Sequence, residues 1–131
     1  MSASSNAELV RRAYAASGEA DIETLTAIID ENASWCTPGC SPVAGEYQGR
    51  DAVLAHLGRY GGATGVTFRA DLQQVFTSDD GRVIGLHHSS GERNGRRLDT
   101  DCCVVFEVVD GRVVSGREHV FDLARWDAFW S

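Results

Sequence analysis

Three dipeptides in the second half of the chain constrain its fold more than any other feature: Asp80-Gly81, Asn94-Gly95 and Asp110-Gly111. Each can adopt the positive φ values of a tight hairpin turn. They separate four extended segments, at residues 66–77, 82–92, 96–109 and 112–121. Consecutive hairpins dictate an antiparallel meander, and strands this long must twist and curl.

The first half has a helical period instead. Ser5 and Glu8 have capping-box spacing, followed by Val10, Ala13 and Tyr14, with Gly18 as the stop. Asp21 is placed to cap a second helix whose stripe is Ile22, Leu25, Ile28 and Ile29. A short strand is expected at 33–37, then a turn-rich loop at 38–45, where two prolines and two glycines oppose regular pairing. A third helix is expected at about 51–60, with Val53, Leu54, Leu57 and Tyr60 on one side. A short closing helix is expected at 123–130, packing Trp126, Phe129 and Trp130 on the domain or on a partner. Helices before a curled meander bury their stripes on its concave face. The expected class is α+β: a cone-shaped barrel with N-terminal helices packed on a strongly curved antiparallel sheet. The length of 131 residues suits a single domain, 1–131.

Charge narrows the partners. The net charge of −7, from 19 acidic against 12 basic residues, repels phosphate backbones, so nucleic acid is not an expected partner. No apolar run is long enough for a bilayer, and residues 1–6 lack the basic and apolar regions of a signal peptide. A cytoplasmic address is the expectation. Cys36 and Cys40 are separated by three residues, and Cys102 and Cys103 are neighbours that a strand sends to opposite faces. The four thiols are therefore expected to be small buried groups, with neither metal nor other cofactor.

Three stretches carry a family resemblance: Asp21 to Trp35 (DIETLTAIIDENASW), Pro38 to Asp51 (PGCSPVAGEYQGRD) and Val105 to Val113 (VFEVVDGRV). With the order of elements, they resemble the SnoaL-like proteins of the nuclear transport factor 2-like superfamily. Relatives there include ketosteroid isomerases and limonene-type epoxide hydrolases. The resemblance implies the cone-shaped fold more firmly than any reaction, because such a fold hosts isomerases, aldol cyclases, hydrolases, dehydratases and non-enzymes.

The departures bear on the reaction. The three ketosteroid isomerase positions hold Ala13, Thr37 and Val104 here. Tyr14 lies one residue from the first, about 100° around the helix, and is expected to face elsewhere. Matching the epoxide hydrolases places Glu118 at one catalytic carboxylate, preceded by Arg117. That family's Arg-x-Asp pair is missing, and the second strand offers His87, His88, Ser89 and Ser90. In SnoaL-like cyclases an Asp near the end of the final strand acts as base, and Asp122 is its counterpart. Whether Glu118 or His119 points inward beside it is left open.

Alternation on the third strand of the meander groups Leu98, Thr100, Cys102, Val104 and Phe106 on the pocket face. Asp99, Asp101, Cys103, Val105 and Glu107 fall on the other face. The candidate catalytic residues are therefore Glu118, His87, Asp122 and His119, and the candidate substrate-binding residues are Trp35, Thr37, Cys102, Val104 and Phe106. A carboxylate in an apolar pocket suits proton transfer near neutral pH, with a histidine to hold or relay the proton. A His–Glu pair of purely structural role fits the same residues. His88 and His119 are expected at the surface, His56 at an ordinary polar helix position, and the Arg93/Arg96/Arg97 cluster at a solvated tip.

The expected function is a cofactor-independent acid/base enzyme, a cyclase, isomerase or hydrolase. Its expected substrate is a hydrophobic small molecule such as a polyketide-like ring, ketone or epoxide. The alternative is a non-catalytic small-molecule binding or dimerisation domain, favoured if Trp35 and Phe106 plug the pocket. A homodimer through the outer sheet face is expected.

Overall fold

A computed structural model describes residues 3–131 as four helices on one six-stranded sheet. Helix α1 (Ala3–Gly18) already includes Ser5, so the expected capping box lies inside its first turn. Helix α2 (Ile22–Ile28) is capped by Asp21, whose carboxylate accepts from the Thr24 amide and hydroxyl. Ile22 is exposed rather than on the stripe, and Ile29 is extended and opens strand β1 (Ile29–Thr37). Strand β2 (Gly45–Gln48) follows the loop and pairs antiparallel with β1, setting Trp35 opposite Tyr47. Helix α3 (Arg50–Ala63) leads to the meander β3 (Arg69–Thr77), β4 (Val83–Arg93), β5 (Arg96–Val109) and β6 (Arg112–Val120). Helix α4 (Leu123–Trp130) closes the chain.

The sheet order is β2-β1-β6-β5-β4-β3. The meander is antiparallel as its turns dictate: Asn94-Gly95 and Asp110-Gly111 have φ of 50°/76° and 50°/77°. Strand β6, however, lies parallel to β1, so the sheet is mixed. It is also open, with β2 and β3 as its edges, so the fold is cone-like without closing into a barrel.

The β5 alternation is as its pattern dictates, with Leu98, Thr100, Cys102, Val104 and Phe106 all buried. Trp126, Phe129 and Trp130 pack within the domain, against Val43, Tyr60 and Leu98. Burying such rings contributes about 2–3 kcal/mol each. The hairpin tip is exposed at Arg96 and Arg97, as expected, but it is also tethered: Arg93 donates to the carbonyls of Phe129 and Ser131, and Arg96 to those of Ala128 and Ser131. They satisfy carbonyls that the end of α4 leaves without helical partners. Among the described residues no helix is long and apolar enough to cross a membrane.

Candidate functional site

Helices α1 and α3 stand off the concave sheet face and leave a cavity of about 330 Å³. Its wall is mostly apolar, with Leu57, Val104, Phe106 and Val113 among the lining side chains. Polar groups enter it at two places.

The first is Glu118 on β6. Cross-strand register sets Val104 opposite Glu118, and Glu118 and Gly116 point inward while Arg117 and His119 point out. This settles the open alternative: Glu118 is 5% exposed inside the cavity wall, and His119 lies on the outer face. Glu118 Oε1 accepts from the Trp35 indole N–H at 3.0 Å and from the Tyr60 hydroxyl at 3.1 Å. Its Oε2 accepts from the same Tyr60 hydroxyl, at 3.2 Å. Burial pushes the carboxyl up to about 7, against the opposing pull of the Trp35, Tyr60 and Thr37 donors.

Trp35 reaches Glu118 because β1 and β6 are neighbours and Gly116 sits directly beside Trp35. A Cβ at Gly116 would lie 2.2 Å from the Trp35 ring, so only glycine permits this approach. Behind Glu118, Thr37 Oγ1 lies 2.8 Å from His56 Nε2 and 3.3 Å from the Tyr60 hydroxyl. His56 is 1% exposed and stacked on Tyr47 at 3.7 Å, not at an ordinary polar helix position. The α3 spacing Val53, His56, Tyr60 faces the core, and a histidine on that face needs a polar partner, which β1 supplies.

The second polar place is His87 on β4. Its Nδ1 lies 2.6 Å from the Tyr14 hydroxyl and its Nε2 3.1 Å from Ser89 Oγ. Burial pushes His87 down to about 4 and raises Tyr14, so a neutral imidazole faces a protonated phenol at neutral pH. Tyr14 does not face elsewhere: α1 is rolled so that Ala13 and Tyr14 both line the cavity. Gly85 makes room, since a Cβ there would lie 2.8 Å from the Tyr14 ring. His87 and Glu118 are two strands and one pleat apart, roughly 12 Å between backbones, which leaves a small molecule able to touch both.

The remaining candidates separate. Trp35, Val104 and Phe106 line the cavity; Thr37 and Cys102 are buried behind its wall. Asp122 does not reach the cavity. It is exposed as the N-cap of α4, accepting from the Arg125 amide. His88 is an outer-face residue between Asp99 and Asp101, at 2.5 and 2.8 Å. Among the described residues no three His, Cys, Asp or Glu side chains converge to hold a metal ion.

An open, curled mixed sheet with helices packed on it is the architecture of the nuclear transport factor 2-like class. The chain belongs to the SnoaL-like domain family, whose model matches residues 10–116. It is 32% identical over 124 residues to the uncharacterized protein Rv0034 of Mycobacterium tuberculosis, covering 95% of each chain. Its fold matches that of Bal32a, from a soil-derived mobile gene cassette, with a TM-score of 0.96, 58% identity and 98% of each chain covered. TerC, co-crystallised with polyporic acid, shares the fold at 18% identity and a TM-score of 0.80, over 97% of this chain and 99% of its own.

Proposed function

We propose that residues 1–131 act as one domain, a cofactor-independent acid/base enzyme for an apolar small molecule. The candidate substrates are polyketide-like rings, ketones and epoxides, and the candidate reactions cyclisation, isomerisation and hydrolysis. The observation that carries this reading is Glu118: a carboxyl pushed up to about 7, buried in an apolar cavity. A carboxyl near its midpoint at neutral pH takes and returns a proton with little driving-force penalty. Glu118 Oε2 serves as the base. The Tyr14 hydroxyl, held by neutral His87, donates to oxygen on the substrate as charge develops there.

The cavity volume supports an occupant, because Trp35 and Phe106 line the space without filling it. That TerC crystallises with polyporic acid supports a small organic molecule of this kind. The four free cysteines support a cytoplasmic setting. The test is a turnover screen with apolar ketones, epoxides and polyketide-like rings. Turnover that depends on Glu118 upholds the reading; ligand binding without any turnover replaces it with a binding domain.

The same proposal includes a homodimer. The outer sheet face presents half-buried Ile84, Leu86, Cys103 and Val105 beside Phe76, which is 44% exposed. Charged Arg117 and Asp99 flank this apolar strip, so two copies can pair oppositely charged rims. Sedimentation equilibrium at micromolar concentration is expected to give twice the chain mass of 14.2 kDa; the single mass would refute pairing.

A further inference from the structure

We infer that His56 is a positioning residue: its Nε2–H heads a one-way chain of hydrogen bonds through Thr37 and Tyr60 that ends on Glu118. The inference rests on the reading of Glu118 as the working carboxyl, but its first test needs no substrate.

Direction follows from counting donors. His56 Nδ1 is buried without a hydrogen-bond partner, while Nε2 has Thr37 Oγ1 at 2.8 Å and the Tyr60 hydroxyl at 3.1 Å. A proton on Nδ1 would strand a buried N–H and leave Nε2 as a lone pair drawing a hydroxyl proton away from Glu118. A proton on Nε2 leaves only a lone pair unmet and gives Thr37 a donor. Thr37 then donates to the Tyr60 oxygen at 3.3 Å, and Tyr60 donates to Glu118 at 3.1 and 3.2 Å. The Tyr60 oxygen also lies 3.1 Å from the same Nε2–H, so the imidazole supports Tyr60 both directly and through Thr37, and each bond reinforces the next.

Electrostatics favour the same direction. Arg59 is the charged group acting on His56, and the N–H dipole on the Glu118 side points its positive end toward the carboxylate. Burial first, and Arg59 second, push His56 down to about 4, which excludes an imidazolium near neutral pH. Stacking on Tyr47, whose hydroxyl is tied to the Val43 carbonyl at 2.8 Å, fixes the ring plane. The groups facing Glu118 are Trp35 and Thr37 from β1, Tyr60 and His56 from α3, Cys102 from β5, and Tyr14 from α1. His87 from β4 shares the same cavity. None of them is a cation at neutral pH, so donor direction is the main lever on the carboxylate.

The test is nuclear magnetic resonance on the whole protein. The ¹⁵N correlations of His56 are expected to give the neutral Nε2–H tautomer from about pH 6 to pH 8. An Nδ1–H tautomer or an imidazolium there overturns the chain outright. The Glu118 side-chain carbon, identified by its loss in Glu118→Gln, then reports the carboxyl titration. Thr37→Val removes the hydroxyl that His56, Tyr60 and Glu118 share without touching either ring, and His56→Leu removes the head. Each is expected to raise the Glu118 midpoint by about one pH unit, the equivalent of weakening one hydrogen bond to a charged group. His56→Gln, which keeps an N–H near Thr37, is expected to restore most of that shift. An unmoved midpoint in folded Thr37→Val sinks the inference. If the tautomer and the shift hold while Glu118→Gln keeps its turnover, the chain stands and the assignment of Glu118 as base falls.

Discussion

Replacing Glu118 by Gln is expected to lower turnover by roughly 10²–10⁴-fold, the usual contribution of a general acid or base. The barrier rises by about 3–5 kcal/mol, while the wall keeps its shape. The Gln carbonyl can still accept from Trp35 and Tyr60, so the fold should hold. A second consequence separates this variant from a packing defect. The ordinary carboxyl value of 4.5 is raised to about 7 in the folded protein. Stability from Glu118 is therefore fully present below pH 4.5 and is lost as pH rises through 7. The loss is about 3 kcal/mol. His87 and His56, both pushed down to about 4, act in the opposite sense: their contribution is present above 6.5 and is lost as pH falls through 4. Because the windows overlap, wild-type stability alone hides both effects. The difference between wild type and Glu118→Gln isolates the carboxyl, and urea melts should show the variant gaining relative stability from acid to neutral pH. A flat difference means the carboxyl is not buried as charge; unchanged turnover means it is not the base.

The parts of the fold set by local turn chemistry were legible in the sequence. Asn94-Gly95 and Asp110-Gly111 specify hairpins from their own backbone preferences, and the strands between them alternate as drawn. Glu118 came from the family resemblance, which left His119 in play; a β-bulge between Glu107 and Val108 interrupts the β5–β6 register between the turn and the site. What the sequence did not reveal depends on how elements roll against each other. A 100° step separates Ala13 from Tyr14, yet a helix seated on the seam between them presents both. His56 looked like a surface polar residue because its partners, Thr37 and Tyr47, come from other elements. The four residues of β2 are too few to show a period, and the β1–β6 pairing joins segments far apart in the chain. One signal was available and unused. Gly85 and Gly116 sit inside otherwise regular strands, where an isolated glycine marks a close approach. Those two positions admit Tyr14 and Trp35, two of the donors at the proposed site.

Gly116→Ala is accordingly expected to be the most damaging single-carbon addition among these glycines. The new Cβ would stand 2.2, 2.4 and 2.9 Å from three ring carbons of Trp35, far inside van der Waals contact. Trp35 has little freedom to retreat: its N–H is bound to Glu118, and its ring lies edge-on to Phe106 at 5.9 Å. Overpacking costs about 1–3 kcal/mol, occasionally more. Moving Trp35 also releases its bond to a buried carboxyl, about 1–3 kcal/mol further. The expected sum, about 2–6 kcal/mol, corresponds to a fall in Tm of roughly 7–22 °C for a chain of this length. Gly58→Ala supplies the contrast. Gly58 is helical, has open space around it, and should gain stability by about 0.4–1 kcal/mol. Thermal melts of the two variants, with Trp35→Leu and the Gly116→Ala/Trp35→Leu double variant, complete a cycle. If the ring is the obstacle, the glycine substitution should cost far less once Trp35 is gone. Equal cost in both backgrounds would place the strain elsewhere and refute the close approach of Trp35 to residue 116.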